Sequence, residues 1–273
     1  MCIVALREAR MSQGLAAMLA IAAVAAGPVY GAACSAQSGA QAVPLVELYT
    51  SEGCSSCPPA DRWLSATFAK ASPRAAGIAL AFHVDYWDRL GWKDRFAAPA
   101  YTERQYEEMR ANGGRFVYTP QVVVQGKDFP EWQDRRAVAT LTAASTKPAR
   151  AEIVLAAERD RGSIAVKATA RVQSLADRKG AVLYVALADD GLASEVKAGE
   201  NAGARLEHDN VVRLFRAGPM PDANGEMRWD VTLPVPAEAG KASTVVAFVQ
   251  NARAGDVLQA LALPVTAACA TAR

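Results

Sequence analysis

Two cysteines separated by two serines are the residues of this chain best suited to chemistry. Cys54 and Cys57 follow an apolar run at residues 45–49 and come at the start of a helix-like segment. At the first turn of a helix, unpaired backbone N–H groups and the positive end of the helix dipole stabilise a thiolate. Pro58 and Pro59 are typical of that turn, where no N–H is needed. The spacing therefore predicts a thiol pair that can close into a disulfide.

The segments around this motif predict a βαβ unit. The helix, over about residues 57–71, ends at Ser72-Pro73, and a second apolar run follows at residues 77–84. A strand, a helix and a strand in this spacing form parallel strands with a right-handed crossover. Residues 85–114 are interpreted as an insertion with a helix near residues 101–111. A strand at residues 121–124 and a helix at residues 130–146 complete an α/β domain predicted for residues 43–148.

The chain beyond Pro148 has a different pattern, which predicts an all-β, sandwich-like domain at residues 149–267 and a tail at residues 268–273. Seven short segments are rich in Val, Leu and Thr and are separated by turn residues; they are Ala151–Ala157, Ser163–Val172, Ala181–Ala188, Val211–Phe215, Met227–Leu233, Thr244–Gln250 and Leu258–Pro264. The polar sequence His208-Asp209-Asn210 is interpreted as a turn or strand edge. No metal or nucleophile motif occurs in this half.

The first 42 residues have the features of a signal peptide and leader. Arg7 and Arg10 precede an apolar stretch at residues 15–26 that is followed by small residues. Cleavage after Ala33, Ala36 or Ala42 would satisfy the small-x-small rule. An N-terminal membrane anchor is the alternative, although the apolar stretch is shorter than the ~20 residues of a membrane-spanning helix. We therefore expect a periplasmic or secreted protein with no membrane span in its mature part.

The charge of the chain limits the classes of partner that are expected, and its cysteine content indicates the redox compartment. The 273 residues carry a net charge of +2, and no basic cluster alternates with aromatic residues, so a nucleic-acid partner is not expected. Outside the cytosol, cysteines persist as disulfides. Of the five cysteines, Cys2 leaves with the signal peptide. If cleavage leaves Cys34 in the mature chain, we predict that it pairs with Cys269, because these two remain when Cys54 and Cys57 pair.

The motifs carry a resemblance to a known family. The sequence Glu-Leu-Tyr-Thr-Ser-Glu-Gly-Cys-Ser-Ser-Cys-Pro-Pro-Ala-Asp, with His-Val-Asp-Tyr-Trp-Asp and Tyr-Thr-Pro-Gln-Val-Val-Val, resembles an exported bacterial thioredoxin-like family catalogued as a domain of unknown function. The resemblance covers about residues 43–146 and extends more loosely over residues 151–264. It implies a thioredoxin- or glutaredoxin-like fold for residues 43–148.

The resemblance also implies roles for individual residues. Cys54 would be the exposed attacking thiol and Cys57 the buried resolving thiol. Pro120 would be a cis-proline that faces them, and Thr119 would offer its backbone to an extended substrate. Glu47 would be the buried acid that moves the proton of Cys57; the alternative is a strand carboxylate paired with an Arg or Lys.

Three further residues have two interpretations each. Trp87 and Trp92 could shape a substrate groove beside the thiols, or they could pack the insertion onto the domain. His83 lies on an apolar strand, where a hydrogen-bonded core histidine is favoured over a metal ligand.

The leading hypothesis is an exported thiol–disulfide oxidoreductase that uses Cys54 and Cys57 and needs no cofactor. Its partners would be a protein or small-molecule thiol or disulfide and a redox partner that the sequence does not identify. One alternative is a Cu(I) carrier, because soft thiolates bind Cu(I), with help from His83. Another is a non-enzymatic binding protein in which the pair is a permanent structural disulfide.

Overall fold

The computed structural model describes residues 34–68, 77–134, 136–266 and 269–270. The strands are β1 Cys34–Gln37, β2 Leu45–Thr50, β3 Ile78–His83, β4 Gln121–Val124, β5 Lys127–Asp128, β6 Glu152–Arg159, β7 Ser163–Arg171, β8 Ala181–Asp190, β9 Leu192–Glu195, β10 Arg205–His208, β11 Val211–Ala217, β12 Glu226–Pro234, β13 Ala242–Asn251 and β14 Val257–Val265. The α-helices are α1 Pro58–Phe68, α2 Pro99–Ala111, α3 Arg136–Ser145 and α4 Leu175–Arg178, and short 3₁₀ helices lie at Asp88–Leu90 and Pro130–Gln133.

The first half contains the predicted βαβ unit. Strands β2 and β3 are parallel, with Leu45 opposite Ile78, and α1 connects them. Strand β4 pairs antiparallel with β2 and β5 pairs antiparallel with β4, so the order here is β3-β2-β4-β5. All six residues of β2 are buried, as expected for a strand that is covered on both faces. The predicted helix at residues 130–146 is divided into a 3₁₀ turn and α3.

Different helices cover the two faces of β2, α1 on one face and α2 on the other. Val46 and Leu48 share a core with Leu64 of α1. Leu45 and Tyr49, which point to the opposite face because side chains alternate along a strand, share a core with Tyr101 of α2. The insertion at residues 85–114 therefore supplies the helix that covers the face opposite α1.

All seven strands predicted beyond Pro148 are present as β6, β7, β8, β11, β12, β13 and β14. Four strands form a sheet in the order β1-β6-β7-β12. This sheet shares one apolar core with β8, β13 and β14, to which Ile153, Leu155, Leu183 and Val245 contribute. The regular alternation of buried and exposed residues along β7 matches a strand with one face against this core. The hairpin β9–β10 was not predicted.

The two halves share one eight-stranded sheet, in the order β14-β13-β8-β11-β3-β2-β4-β5. The junction is at β11, which pairs antiparallel with β8 and meets β3 through Val211 and Ala81. The Ala81 N–H also donates to the Asn210 carbonyl over 2.8 Å. The expected boundary between residues 148 and 149 therefore separates strands of a continuous sheet. Sequence patterns identify strands, but they do not show which strand edges meet.

The predicted disulfide between Cys34 and Cys269 is confirmed, with a Cα–Cα distance of 4.9 Å. It connects β1, which pairs with β6, to the end of the chain. Residues 1–33 of the predicted signal peptide and leader lie outside the described residues, and so do Cys2 and the cleavage site after Ala33. Residues 34–42, which include the alternative sites after Ala36 and Ala42, lie within them. Among the helices that the structure describes, none is long and apolar enough to cross a membrane.

Candidate functional site at the cysteine pair

Cys54 and Cys57 form a disulfide between the end of β2 and the start of α1, with a Cα–Cα distance of 5.4 Å. The Cys57 carbonyl accepts hydrogen bonds from the N–H groups of Ala60 and Asp61, over 2.8 and 3.2 Å. Cys57 is therefore the residue that caps α1, and the helix itself begins at Pro58. The Ser56 hydroxyl lies 3.3 Å from the Cys54 sulfur, so it can donate to a thiolate at that position.

The predicted exposure of Cys54 is wrong. Both cysteines have 0% exposure, and the two serines between them are exposed. The hairpin loop, residues 196–204, connects β9 to β10 and contacts the cysteine segment. Asn201 donates its side-chain amide to the carbonyls of Glu52 and Cys54, over 2.8 and 3.0 Å.

A second residue of the hairpin loop holds the serine next to Cys54. The backbone N–H and the hydroxyl of Ser55 both donate to the Glu200 carboxylate, over 3.0 and 2.7 Å. These hydrogen bonds lower the pKa of Glu200. The contacts join residues about 145 positions apart, so no local pattern in the sequence could have predicted them.

Beside the cysteine segment lies a group of buried ionisable side chains, which we call the polar cluster; its members are Glu52, Asp61, His83, Asp94 and His208. His83 and Asp94 are paired, with 2.6 Å between Nδ1 and Oδ2. The same Asp94 oxygen accepts the backbone N–H of Glu52 over 2.8 Å. His208 Nε2 lies 3.4 Å from Glu52 Oε1. The two imidazole rings meet edge to face with 4.9 Å between their centroids.

The pKa values of the polar cluster are strongly linked. Burial alone would lower the pKa of His83, but the charge of Asp94 and its hydrogen bond outweigh burial and raise it. Burial alone would raise the pKa of Asp94, but His83 and two backbone N–H groups lower it. The pKa of Asp61 is raised because burial outweighs the opposing effect of both histidines. Asp94 is therefore the ionised partner, and Asp61 is the carboxyl that favours its proton.

His83 is the hydrogen-bonded core histidine that the sequence favours, paired through Nδ1 with Asp94, whereas the burial of His208 was not expected. His83 is buried, but its Nε2 has no hydrogen-bond partner among the described residues. His208 ends β10 at a turn, as expected, yet it is buried and neither of its ring nitrogens has a hydrogen bond there. These are the two histidines of the whole chain. An isolated histidine on an apolar strand does not reveal its partner, so the sequence missed this pair.

The structure confirms the predicted cis bond between Thr119 and Pro120, which directly precedes β4. Trp87 connects this bond to the cysteine segment. Its indole N–H donates to the Thr119 hydroxyl over 2.8 Å, and a Cβ on Gly53 would lie 3.2 Å from Trp87 Cβ. Gly53 therefore allows the close approach of the tryptophan. Trp87 links Thr119 to the segment that carries Cys54.

Trp92 contacts the same segment from another direction. Its indole N–H donates to the Glu52 carboxylate over 2.7 Å. Both tryptophans are half-buried, and both pack the insertion against the cysteine segment. A role for either residue in substrate binding stays a prediction.

Glu47 does not join the cysteine pair. Its carboxylate accepts two hydrogen bonds from the Arg104 guanidinium, over 3.1 and 2.9 Å, and one from the Tyr49 hydroxyl over 2.9 Å. Arg104 belongs to α2, and Glu47 lies on the face of β2 opposite α1. The structure therefore supports the alternative interpretation of a strand carboxylate paired with an arginine. The carboxyl on the helix side is Asp61, which the sequence analysis did not select.

The described residues contain no group of three or more His, Cys, Asp or Glu side chains arranged to hold a metal ion. What the site does combine is a disulfide at a helix N-terminus, a hydroxyl beside Cys54 and a buried group of proton acceptors.

Comparisons with known proteins identify the family. Residues 45–250 match the family profile described as a protein of unknown function (DUF1223). The crystal structure of protein AGR_C_4864 from Agrobacterium tumefaciens is similar at 26% identity and a TM-score of 0.56, covering 83% of this chain and 96% of that chain. HBP35 of Porphyromonas gingivalis is similar in fold, at 15% identity and a TM-score of 0.60, covering 82% of this chain and 75% of that chain. No curated protein matches.

Proposed function

This chain belongs to the DUF1223 family of proteins of unknown function, and we propose that it is an exported thiol–disulfide oxidoreductase. Its redox-active pair is Cys54 and Cys57, and it acts in the periplasm or outside the cell. The observation that carries the proposal is the disulfide at the N-terminus of α1 with a buried acid–base cluster beside it. A purely structural disulfide has no need of nearby proton acceptors.

The arrangement of the first half supports a thioredoxin-like interpretation. The order β3-β2-β4-β5, with β2 and β3 parallel and β4 antiparallel, has the C-x-x-C motif at the end of β2. The cis-proline Pro120 precedes β4. Trp87 connects the residue before this proline to the turn before Cys54. These features agree with the roles that the family resemblance implies for Cys54, Cys57 and Pro120.

In the reducing direction, the Cys54 thiolate attacks one sulfur of a substrate disulfide R–S–S–R′. The substrate S–S bond breaks, a Cys54–S–S–R bond forms, and R′S⁻ leaves. Cys57 then loses its proton and attacks the Cys54 sulfur, which closes the disulfide and releases RS⁻. The substrate gains two electrons and the pair loses two. The oxidising direction is the reverse.

The Cys54 sulfur is suited to the attacking role even though it is covered in the oxidised state. The helix N-terminus stabilises a negative charge, and the Ser56 hydroxyl can donate to it over 3.3 Å. A substrate gains access when the hairpin loop moves. Contact between this loop and the cysteine segment is made by hydrogen bonds from Asn201 and to Glu200.

The second candidate is a binding protein in which the pair is a permanent structural disulfide. The observation that favours it is the complete burial of both cysteines. The two candidates differ in one measurable property, since a structural disulfide resists mild reductants in the folded protein and a redox-active one does not.

The test is a redox titration of the folded protein in thiol buffers of graded potential, with alkylation and mass spectrometry of each cysteine. We expect Cys54 and Cys57 to exchange reversibly, whereas Cys34 and Cys269 remain oxidised and serve as the internal control. If the first pair reacts only when denaturant is added, the protein is not an oxidoreductase. Cell fractionation of the native protein tests the proposed export, which two disulfides support.

The attacking residue is identified by trapping in the native compartment. A Cys57→Ser variant should accumulate mixed disulfides through Cys54, because the resolving thiol is absent, and the matched Cys54→Ser variant should accumulate few. Equal trapping by both variants would contradict the assignment of roles.

A further inference from the structure

The strongest unexplained feature of the molecule is a concentration of buried polar atoms without hydrogen bonds. In the described part of the chain, six buried side-chain nitrogen or oxygen atoms make no hydrogen bond of normal geometry, and five of them lie on Thr50, Glu52, His83 and His208. Two of the five, Glu52 Oε1 and His208 Nε2, face each other over 3.4 Å. Leaving such a group unsatisfied costs about 1–3 kcal/mol. Buried polar groups without hydrogen bonds are exceptions in folded proteins, so their concentration here needs an explanation.

Three strands, the turn before Cys54 and the insertion supply the residues of this cluster, on the side of the sheet that α1 covers. Thr50 and His83 are opposite each other at the ends of the parallel strands β2 and β3. His208 ends β10, which packs against α1. Glu52 belongs to the turn before Cys54, and Asp94 belongs to the insertion. The backbone N–H of Glu52 donates a hydrogen bond to the Asp94 carboxylate.

Asp61 connects the cluster to the cysteine pair. Its backbone N–H donates to the Cys57 carbonyl, which is the spacing that brings two side chains to the same side of a helix. Its carboxyl is buried, and both His83 and His208 act on it electrostatically. Asp61 is therefore one helical turn from the resolving cysteine and within electrostatic reach of the two rings.

We propose that Asp61, His83 and His208 form a proton-exchange site for Cys57. The site takes up the proton that Cys57 loses when the disulfide closes and returns it when the disulfide opens. This inference rests on the proposed oxidoreductase function and adds the residues that control its resolving step.

In the mixed disulfide Cys54–S–S–R, the Cys57 thiol transfers its proton to the Asp61 carboxylate, and the resulting thiolate attacks the Cys54 sulfur. The Cys54–Cys57 bond forms, the bond to R breaks, and RS⁻ leaves with the electron pair of that bond. The proton remains on Asp61, shared with the cluster, until it passes to solvent or back to Cys57.

Charged groups on several elements packed around Asp61 act on its proton. Asp61 on α1 keeps its proton more readily than usual because it is buried. The Asp94–His83 pair has its charge balanced, since Asp94 favours ionisation and His83 favours protonation. Burial would raise the pKa of Glu52, but contacts with His208 and Trp92 outweigh burial and lower it. Asp61 is thus the carboxyl of the cluster best able to exchange a proton.

The experiment uses stopped-flow reaction of the reduced mature protein with 5,5′-dithiobis(2-nitrobenzoic acid). The first equivalent of released thiolate reports attack by Cys54, and the second reports ring closure by Cys57. We expect Asp61→Asn to slow the second release about 100-fold, the size typical of general acid–base catalysis. Its pH profile should move toward about 8.5, the pKa of an unassisted thiol.

Glu108→Gln is the matched control. Glu108 is the other buried carboxyl with a raised pKa, but it is bound to Gln250 and Arg104 on the opposite face of the sheet. Its substitution should leave both releases unchanged. If Asp61→Asn shows the rate and pH profile of the wild type, the proton-exchange site is refuted while the oxidoreductase function stands. If the wild-type pair cannot be reduced in the folded protein, both are refuted.

A measurement on the unaltered protein covers the case in which Asp61→Asn fails to fold. The chain has two histidines, so ¹⁵N labelling gives two ring systems to follow by NMR. Their pH midpoints should differ between the oxidised and reduced forms, because a proton beside them has moved. Identical midpoints in the two forms would overturn the proposal.

Discussion

The substitution Asn201→Ala removes two of the hydrogen bonds through which the hairpin loop holds the backbone of the cysteine segment and leaves the one from the Ser55 N–H to Glu200. Asn201 is half-buried, and its two acceptors are the carbonyls of Glu52 and Cys54. Alanine has no side-chain donor, so in the variant these two carbonyls form hydrogen bonds with water when the loop moves. We expect the variant to open over the disulfide more often than the wild type.

The size of the effect follows from the number of bonds. A net contribution of about 0.5–1.5 kcal/mol for each intramolecular hydrogen bond gives about 1–3 kcal/mol for the two. Because 1.4 kcal/mol is a tenfold change in an equilibrium constant, the open population should rise about 5- to 150-fold. When closing is faster than reduction, the rate of reduction follows this population.

The assay is the rate at which dithiothreitol reduces Cys54–Cys57 in the native protein, measured by alkylation and mass spectrometry. Cys34–Cys269 is the internal control, because global unfolding would expose both disulfides. Asn224→Ala, an exposed asparagine in the turn before β12, is the control for the chemical change. An unchanged rate, or an equal acceleration of both disulfides, would refute the idea that the hairpin loop limits access.

Arg104→Ala should destabilise the protein by about 3–5 kcal/mol, since it leaves buried carboxylates unpaired. The control Arg110→Ala breaks an exposed ion pair and should cost less than about 1 kcal/mol. Urea unfolding of the two variants measures both values. Replacing Cys34 and Cys269 together by serine should lower the free energy of unfolding by about 2–5 kcal/mol, because the disulfide closes a loop of 235 residues, and an unchanged urea midpoint would contradict that. Burial and the nearby Glu47 charge raise the pKa of Glu108 from 4.5 to about 7, so the folded state retains a proton that the unfolded state loses, and stability should fall as pH rises between these values. Glu108→Gln should remove that slope, which thermal unfolding measured across this pH range can detect.

Local patterns in the sequence were sufficient for the elements that carry the cysteines. Alternating and apolar runs predicted β2, β3 and the seven later strands, and the prolines after Cys57 predicted the helix start. The proline before a β-branched run predicted the start of β4, and the family resemblance implied its cis bond. These features depend on residues close together in the chain, where backbone sterics and side-chain periodicity dominate.

What the tertiary structure decided is the environment of those elements. The backbone of Cys54 is held by Asn201, almost 150 residues away. The meeting of His83 with His208 requires the pairing of β11 with β3, which no strand pattern specifies. The two interpretations of Glu47 stayed open because strand alternation gives two faces without showing which one α1 covers. Strand edges, covering loops and buried charge pairs are set by long-range packing, and their chemistry is visible only after the chain has folded.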